Sequence, residues 1–148
     1  MKGKTAVILF NLGGPDKPES IRPFLLNFFM DPNIIQAPYP VRYAVSRLIA
    51  NKRSKNEAGT AYGKLGGKSP LLENTNRQAG ALQGELGPDY RVFVCMRYWN
   101  PRAEDVAALV KDYNPDQIVL MPLYPQFSTT TTRSSFQDWN RAAAKLGL

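Results

Sequence analysis

The sequence predicts an α/β fold in which a parallel sheet is flanked by helices. Three short apolar runs have the length and composition of buried strands: Thr5–Asn11, Tyr90–Arg97 and Asp116–Met121. Helical patterns lie between them, and 43% of the residues are hydrophobic, enough for a globular core. Strands that alternate with helices join through right-handed crossovers, so the three strands should be parallel.

The helices are predicted from apolar residues that recur at three- and four-residue spacing. Proline and glycine mark most of their boundaries, and the stretch Asn51–Lys64 is a weaker extension of the second helix because it contains two glycines. Ser69 and Pro70 favour the N-cap and first position of the third helix. The five predicted helices are Ser20–Met30, one from Pro40 onward, Pro70–Leu86, one after Asn100-Pro101 that ends before Asn114-Pro115, and Phe136–Leu146.

The segments that follow the three strands should meet at one edge of the sheet. Ligands of parallel α/β proteins bind beyond the carboxyl ends of the strands. These segments are Leu12–Pro15, Met96–Trp99 and Tyr124–Arg133, and together they bring glycines, one arginine, aromatic rings and hydroxyls to the same crevice. Aromatic faces stack on flat ligands and cations pair with carboxylates, so the crevice suits a large planar anion.

Two structural explanations of the same residues stay open. Arg97 can pair with a nearby carboxylate instead of a ligand. The hydroxyl-rich turn Leu123–Ser135 can be a helix entry in which Ser134 or Ser135 is the N-cap, although that accounts for only one or two of its hydroxyls.

The composition excludes several classes of site. The chain has no histidine, which excludes a histidine-based triad, metal site or proton shuttle supplied by these residues alone. Cys95 is the only cysteine and is expected to be a small apolar residue of a strand. No spanning helix and no signal peptide are expected, which indicates a cytoplasmic location.

Most of the net charge of +7 lies in the segment Arg42–Lys68, which has one acid, Glu57. The rest of the chain is nearly neutral, which argues against binding nucleic acid. A solvated helix face is the common explanation of such a segment. Together with the apolar residues Ile34 and Ile35 just before it, the segment also fits peripheral contact with the inner membrane or with a partner protein.

Five segments in this order and spacing resemble the ferrochelatase family. They are Asn11–Pro15, Phe24–Pro32, Gly66–Pro70, Met96–Pro101 and Leu123–Ser128. The resemblance covers nearly the whole chain, which is similar to the amino-terminal half of a bacterial ferrochelatase. It implies that residues 1–148 form one chelatase-like (flavodoxin-like) domain with helices on both faces of its sheet. It also implies two such domains in the full protein, each with four parallel strands and with the porphyrin between them.

The resemblance implies the activity and the substrate contacts. Ferrochelatases insert ferrous iron, a substrate, into protoporphyrin IX. Arg97, Tyr98, Tyr124 and Thr130 match positions that line the porphyrin cleft, and Ile35 lies in a matching hydrophobic lip. Two further positions are less direct: Lys64 stands where many relatives have arginine, and Leu12 stands where some relatives that act on coproporphyrin have tyrosine, which favours protoporphyrin.

The resemblance also places the catalytic residues elsewhere. Inserting a divalent metal releases two pyrrole protons, which requires a general base. The family's histidine and acidic residue belong to its carboxy-terminal half, so no catalytic residue, metal ligand or bound cofactor is expected in this chain. We therefore expect a fragment that is inactive without the other domain. The alternative function is a non-catalytic flavodoxin-like module that binds flavin or a nucleotide phosphate at the turn Thr129–Ser135.

Overall fold

The computed structural model describes residues 3–60 and 62–148 and confirms the α/β class. The side chains of residues 57–59 lie outside this description. They include Glu57, the one acid of the segment Arg42–Lys68. The elements in chain order are β1 (Thr5–Asn11), α1 (Ile21–Phe29), α2 (Tyr39–Gly59), α3 (Leu71–Leu86), β2 (Tyr90–Met96), α4 (Ala103–Tyr113), β3 (Gln117–Pro122) and α5 (Ser134–Leu146).

The chain divides into two compact units. The first, which we call the sheet unit, comprises Met1–Leu12 and Glu73–Leu148. The second, which we call the helical unit, is Gly13–Leu72 and contains α1 and α2. Within the described residues, no helix is long and apolar enough to cross a membrane.

The sheet has the order β2-β1-β3, and both pairings are parallel. This confirms the three predicted strands, each to within one residue at either end. In the register of the sheet, Thr5 of β1 lies beside Tyr90 of β2 on one side and beside Gln117 of β3 on the other. β1 lies in the middle of the sheet, and its residues Thr5 to Phe10, which point alternately to the two faces, are each no more than 6% exposed.

One face of the sheet packs against α4 and α5 in a single hydrophobic core. Phe10 lies at its centre, edge-on to Phe136 at 5.6 Å and to Trp139 at 6.0 Å between ring centroids. Val106, Ala107 and Val110 supply the α4 side. Leu109 of α4 is 53% exposed, because it lies beside the stripe of α4 that packs against the sheet.

The side-chain amide of Gln83 closes the outer edge of β2. Its nitrogen donates to the carbonyl oxygen of Tyr90 at 2.8 Å, and its oxygen accepts from the amide of Val92 at 2.9 Å. An edge strand exposes such groups to pairing with other chains. In this protein the Gln83 side chain of α3 binds two of these main-chain groups of β2.

In the helical unit, α1 packs against α2, and Arg22 donates to Asn51 at 2.6 Å. The extension of the second helix is confirmed as far as Gly59, and a short 3-10 turn follows at Gly63–Leu65, while Ala61 lies outside the described residues. The periodic apolar residues of α2 do not face the core: Val41, Val45 and Leu48 are 53%, 36% and 69% exposed.

The first glycine turn packs closely against the loop before α3. A Cβ atom on Gly14 would lie 2.5 Å from the Cβ and Oγ of Ser69. Ser69 also donates its backbone amide to Pro15 at 2.8 Å, and its hydroxyl accepts from the amide of Leu71 at 3.2 Å. The predicted cap at Ser69 is therefore confirmed, and Gly14 is explained by close packing of the backbone.

Replacing Gln83 with leucine should lower the free energy of unfolding by about 1–2 kcal/mol, because two main-chain groups of β2 lose their partners. Urea denaturation measures the change. Gln78→Leu, at an exposed position of the same helix, is the matched control. Equal effects of the two substitutions would contradict the edge-closing role of Gln83.

Candidate functional site

The backbone beyond the three strands brings the predicted site segments together. The ladder between β1 and β2 continues past the strand ends, since the amide of Arg97 donates to Asn11 at 2.9 Å and that of Tyr98 to Leu12 at 3.0 Å. On the other side, the amide of Leu123 donates to Phe10 at 2.9 Å. The predicted convergence of these segments at one sheet edge is confirmed within the sheet unit. We call this group the strand-end cluster: Leu12, Arg97, Tyr98, Tyr124 and Thr130.

Arg97 is held by the start of α5. Its Nε donates to the hydroxyl of Ser134 at 2.6 Å, and its guanidinium forms an ion pair with Asp138 at 3.3 Å. The side chains of the two ionic partners are only 11% and 10% exposed. The structural alternative stated for Arg97 is thus the arrangement observed, and direct contact of Arg97 with a ligand stays a prediction.

Tyr98 connects β2 to the hydroxyl-rich turn. It is fully buried, at 0% exposure, with the guanidinium of Arg97 over its ring at 4.7 Å. Its hydroxyl donates to the carbonyl oxygen of Thr130 at 3.2 Å and lies 3.4 Å from the Oγ of Ser134. In this arrangement Tyr98 positions Thr130, whose side chain is half-buried.

Tyr124 packs against the core under the same turn. Its hydroxyl lies 2.8 Å from the Oγ of Ser135. Burial raises the pKa of Tyr124 to about 12, while the hydrogen bond with Ser135 acts in the opposite direction. The phenol therefore remains protonated at neutral pH and can donate or accept a hydrogen bond but cannot act as a base.

The turn before α5 is capped by a different serine from the two that the sequence predicts. Ser128, not Ser134 or Ser135, is the cap: its hydroxyl accepts from the amide of Thr131 at 3.1 Å, and a five-residue π-helical turn, Thr129–Arg133, follows. The hydroxyl of Ser128 also lies 3.2 Å from that of Thr130. Internal hydrogen bonds therefore account for more of the hydroxyls than the sequence suggests, because a wide π turn places several of them around one cap.

Two predicted site residues, Ile35 and Lys64, belong to the helical unit. Ile35 is half-buried in the loop before α2, and Lys64 is exposed in the 3-10 turn Gly63–Leu65. Leu12, at the end of β1, is half-buried and belongs to the sheet unit. A shared site that includes all three residues stays a prediction.

Sequence reasoning missed Asp138, which organises the cluster. Asp138 is 8% exposed and accepts hydrogen bonds from both Arg97 and Arg141. It lies one turn of α5 beyond Ser134, so both residues face β2. The only available signal was an acid at helical spacing from a serine, and that pattern does not identify a partner 41 residues away.

The described residues contain no group of three or more histidine, cysteine, aspartate or glutamate side chains placed to hold a metal ion. Cys95 lies in the core, and its burial raises the pKa of the thiol to about 12. The thiol is therefore protonated at neutral pH and is a poor nucleophile or metal ligand.

Comparison with known proteins places the chain in a family. The family model described as Ferrochelatase matches residues 4–147. The chain belongs to the ferrochelatase family. The match covers both units and the whole strand-end cluster.

Curated ferrochelatases from several bacteria are similar to this family member. That of Phenylobacterium zucineum (strain HLK1) is 54% identical over 144 residues, covering 94% of this chain and 42% of the relative. That of Wolbachia sp. subsp. Drosophila simulans (strain wRi) is 50% identical over 149 residues, covering 98% and 47% respectively. For Caulobacter vibrioides (strain NA1000 / CB15N) the identity is 50% over 153 residues, with coverage of 100% and 44%.

This ferrochelatase-family chain thus spans a little under half the length of each of these three relatives. The parallel α/β architecture is shown in the sheet unit, which has three strands in its described part. The four strands per domain that the resemblance implies are not reached within these residues.

Replacing Asp138 with alanine should destabilise this ferrochelatase-family domain by about 3 kcal/mol or more, because removing one partner of a buried ion pair leaves the other charge uncompensated. Thermal and urea denaturation would measure the loss.

The exposed ion pair between Lys145 and Glu104 supplies the control. Its side chains are 61% and 71% exposed, so Lys145→Met should leave stability almost unchanged. Unfolding of both variants at the same denaturant concentration would contradict the stabilising role of the buried ion pair between Arg97 and Asp138.

Proposed function

We propose that the protein to which this chain belongs inserts ferrous iron into protoporphyrin IX to make protohaem, and is thus a lyase of haem biosynthesis. The chain would supply one wall of the porphyrin cleft. The observation that carries this proposal is the match of residues 4–147 to the ferrochelatase family, together with about 50% identity to ferrochelatases of several bacteria. The strand-end cluster supports it, because the cluster lies where parallel α/β domains bind ligands.

The contacts of each residue suggest a division of roles within the cleft. Leu12 and the half-buried Thr130 would border the macrocycle, and Ile35 would add apolar contact. The exposed ammonium of Lys64 suits a propionate. Arg97, Tyr98 and Tyr124 are already bonded to Asp138, Thr130 and Ser135, so in our proposal they mainly hold the wall in shape.

We propose that this chain contributes to porphyrin binding and that the proton transfer is carried out elsewhere in the protein. Metal insertion requires a base for two pyrrole protons. The chain has no histidine, and neither Tyr124 nor Cys95, whose pKa values are each raised to about 12, serves as a base at neutral pH. We propose that the base belongs to the carboxy-terminal half found in the longer relatives, so that the two halves act as partners.

A chimera tests the function directly. Residues 4–147 would replace the matching segment of the Phenylobacterium zucineum ferrochelatase, which is 54% identical to this chain. We expect the chimera to insert ferrous iron into protoporphyrin IX, and we expect the 148-residue chain alone to show no turnover above the uncatalysed rate.

A second chimera that carries Thr130→Val provides the residue-level control. It should fold like the first but bind porphyrin more weakly, as read from the Soret band during titration. A folded chimera with no insertion activity would contradict the proposed function, and turnover by the chain alone would contradict the assignment of the base.

The alternative of a flavin or nucleotide module has less support from the turn. The amide of Thr131 is bonded to the hydroxyl of Ser128, and that of Arg133 to its carbonyl oxygen at 3.2 Å. Amides that are already bonded are not available to a phosphate at this helix start. Flavin or nucleotide binding in place of porphyrin binding would favour the alternative.

We further propose peripheral contact with an anionic membrane, supported by the surface of α2. Val41, Ala44, Val45 and Leu48 recur on one face, and all four are exposed. Lys52 and Lys55 extend the same face by about two further turns. Helices that lie in a bilayer surface combine exposed apolar residues with lysines and arginines, and α2 has both.

Replacing Leu48 with serine should weaken binding to vesicles of phosphatidylcholine and phosphatidylglycerol by roughly tenfold, because burying a leucine side chain contributes about 1.5 kcal/mol or more. Leu109→Ser, at an exposed leucine of α4, is the matched control. Co-sedimentation measures the vesicle binding of both variants. No binding by the unsubstituted chain at low salt would rule out the membrane contact.

A further inference from the structure

The end of β1 is bonded to a helix on the face of the sheet away from α4 and α5. Phe10 lies in the core with those two helices, so Asn11, the next residue of the strand, points to the opposite face. There its side-chain nitrogen donates to the Oγ1 of Thr75 in α3 at 3.2 Å. Thr75 is fully buried, at 0% exposure. Asn11 therefore connects β1 to α3 at the sheet edge where Arg97 connects β2 to α5.

The oxygen of the same side-chain amide holds Leu12. It accepts from the backbone amide of Leu12 at 2.9 Å, while the carbonyl oxygen of Leu12 accepts from the amide of Tyr98 at 3.0 Å. A backbone amide can only donate, so the oxygen of Asn11 must face Leu12 and its nitrogen must face Thr75. One side chain thus ties Leu12 to a buried residue of α3, and the ladder with β2 fixes the other side of Leu12.

Asparagine is suited to this bridge because its short, planar amide carries both a donor and an acceptor. Leucine has a similar size and has neither group, so it would break both bonds at once. The half-buried amide of Leu12 would then lose its acceptor. A partly buried donor without a partner is costly, which favours a shift of the backbone at Leu12.

We propose that Asn11 is a positioning residue for the porphyrin site, because it holds Leu12 in place from Thr75. The inference rests on the proposed function, in which Leu12 borders the macrocycle. Asn11 and Thr75 would act through Leu12 and need not touch the porphyrin themselves. The strand-end cluster is then fixed from both faces of the sheet, by Asn11 from α3 and by the network of Arg97 from α5.

The first test replaces Asn11 with leucine in the chimera with the Phenylobacterium zucineum ferrochelatase. The KM for protoporphyrin IX should rise roughly fivefold to tenfold, because a displaced Leu12 loses part of its apolar contact. The dissociation constant from Soret titration should rise in parallel. The KM for ferrous iron and kcat should change by less than about twofold, since the lost contact acts equally on the bound substrate and on the transition state.

Gln83→Leu, in the same helix, is the matched control for stability. It removes two hydrogen bonds at the start of β2, away from the strand-end cluster. It should therefore destabilise the chimera to a similar extent and leave the KM for protoporphyrin IX unchanged. An equal rise in this KM for Gln83→Leu and Asn11→Leu would overturn the positioning role, because general loss of stability would then explain both.

Thr75 allows a second test at a residue outside the proposed wall. Thr75→Val keeps the shape of the side chain but removes the oxygen to which Asn11 donates, so it should also raise the KM for protoporphyrin IX. Thr75→Ser keeps the hydroxyl and should leave this KM near the unsubstituted value. Thr75→Val added to Asn11→Leu should have no further effect, as expected of two residues that act through one contact.

The outcomes separate this inference from the proposed function. An active chimera whose KM for protoporphyrin IX is unchanged by Asn11→Leu and by Thr75→Val would overturn the inference and leave the proposed function intact. If Asn11→Leu does not fold, the contrast between Thr75→Val and Thr75→Ser decides the question. A folded, unsubstituted chimera that neither binds porphyrin nor inserts iron would overturn the proposed function and this inference with it.

Discussion

The buried ion pair between Arg97 and Asp138 is the interaction on which the strand-end cluster depends. It joins the end of β2 to the first turns of α5, two segments that no short-range interaction brings together. Ser134 and Tyr98 extend the connection to Thr130, so one network fixes the end of a strand, the start of a helix and the turn between β3 and that helix. For the porphyrin wall that we propose, such fixed geometry would leave less ordering to the ligand.

The sequence predicts the strands well because each is a short apolar run bounded by turn residues. β1 matches its predicted bounds, β2 ends one residue earlier than predicted, and β3 is shifted by one residue at both ends. Periodicity was less informative for α2, where Val41 and Leu48 form a stripe that faces solvent. A repeat of apolar residues indicates that a helix has an apolar face but not what covers that face.

The location of the strand-end cluster was predictable from the sequence, but its ion pair and hydrogen bonds were not. The parallel topology alone brings Leu12, Tyr98 and Tyr124 to one sheet edge. The sequence does not reveal that Arg97 is neutralised, because its partner Asp138 lies on a different element far along the chain. The cap at Ser128 was missed for a similar reason, since a π turn shifts the helix entry upstream of the serines that an ordinary α-helical start would favour. The internal bonds of Arg97 and Tyr98 connect both residues to the turn that contains Thr130, and their contact with a ligand stays a prediction.

Our main proposal for the site is that the strand-end cluster forms one wall of a porphyrin cleft. A crystal structure of the chimera with protoporphyrin IX bound tests it most directly. We expect a macrocycle that lies against Leu12 and Thr130, with the ion pair between Arg97 and Asp138 intact beneath it. A macrocycle bound away from the carboxyl ends of β1, β2 and β3, or one whose propionate displaces Asp138 from Arg97, would contradict this proposal.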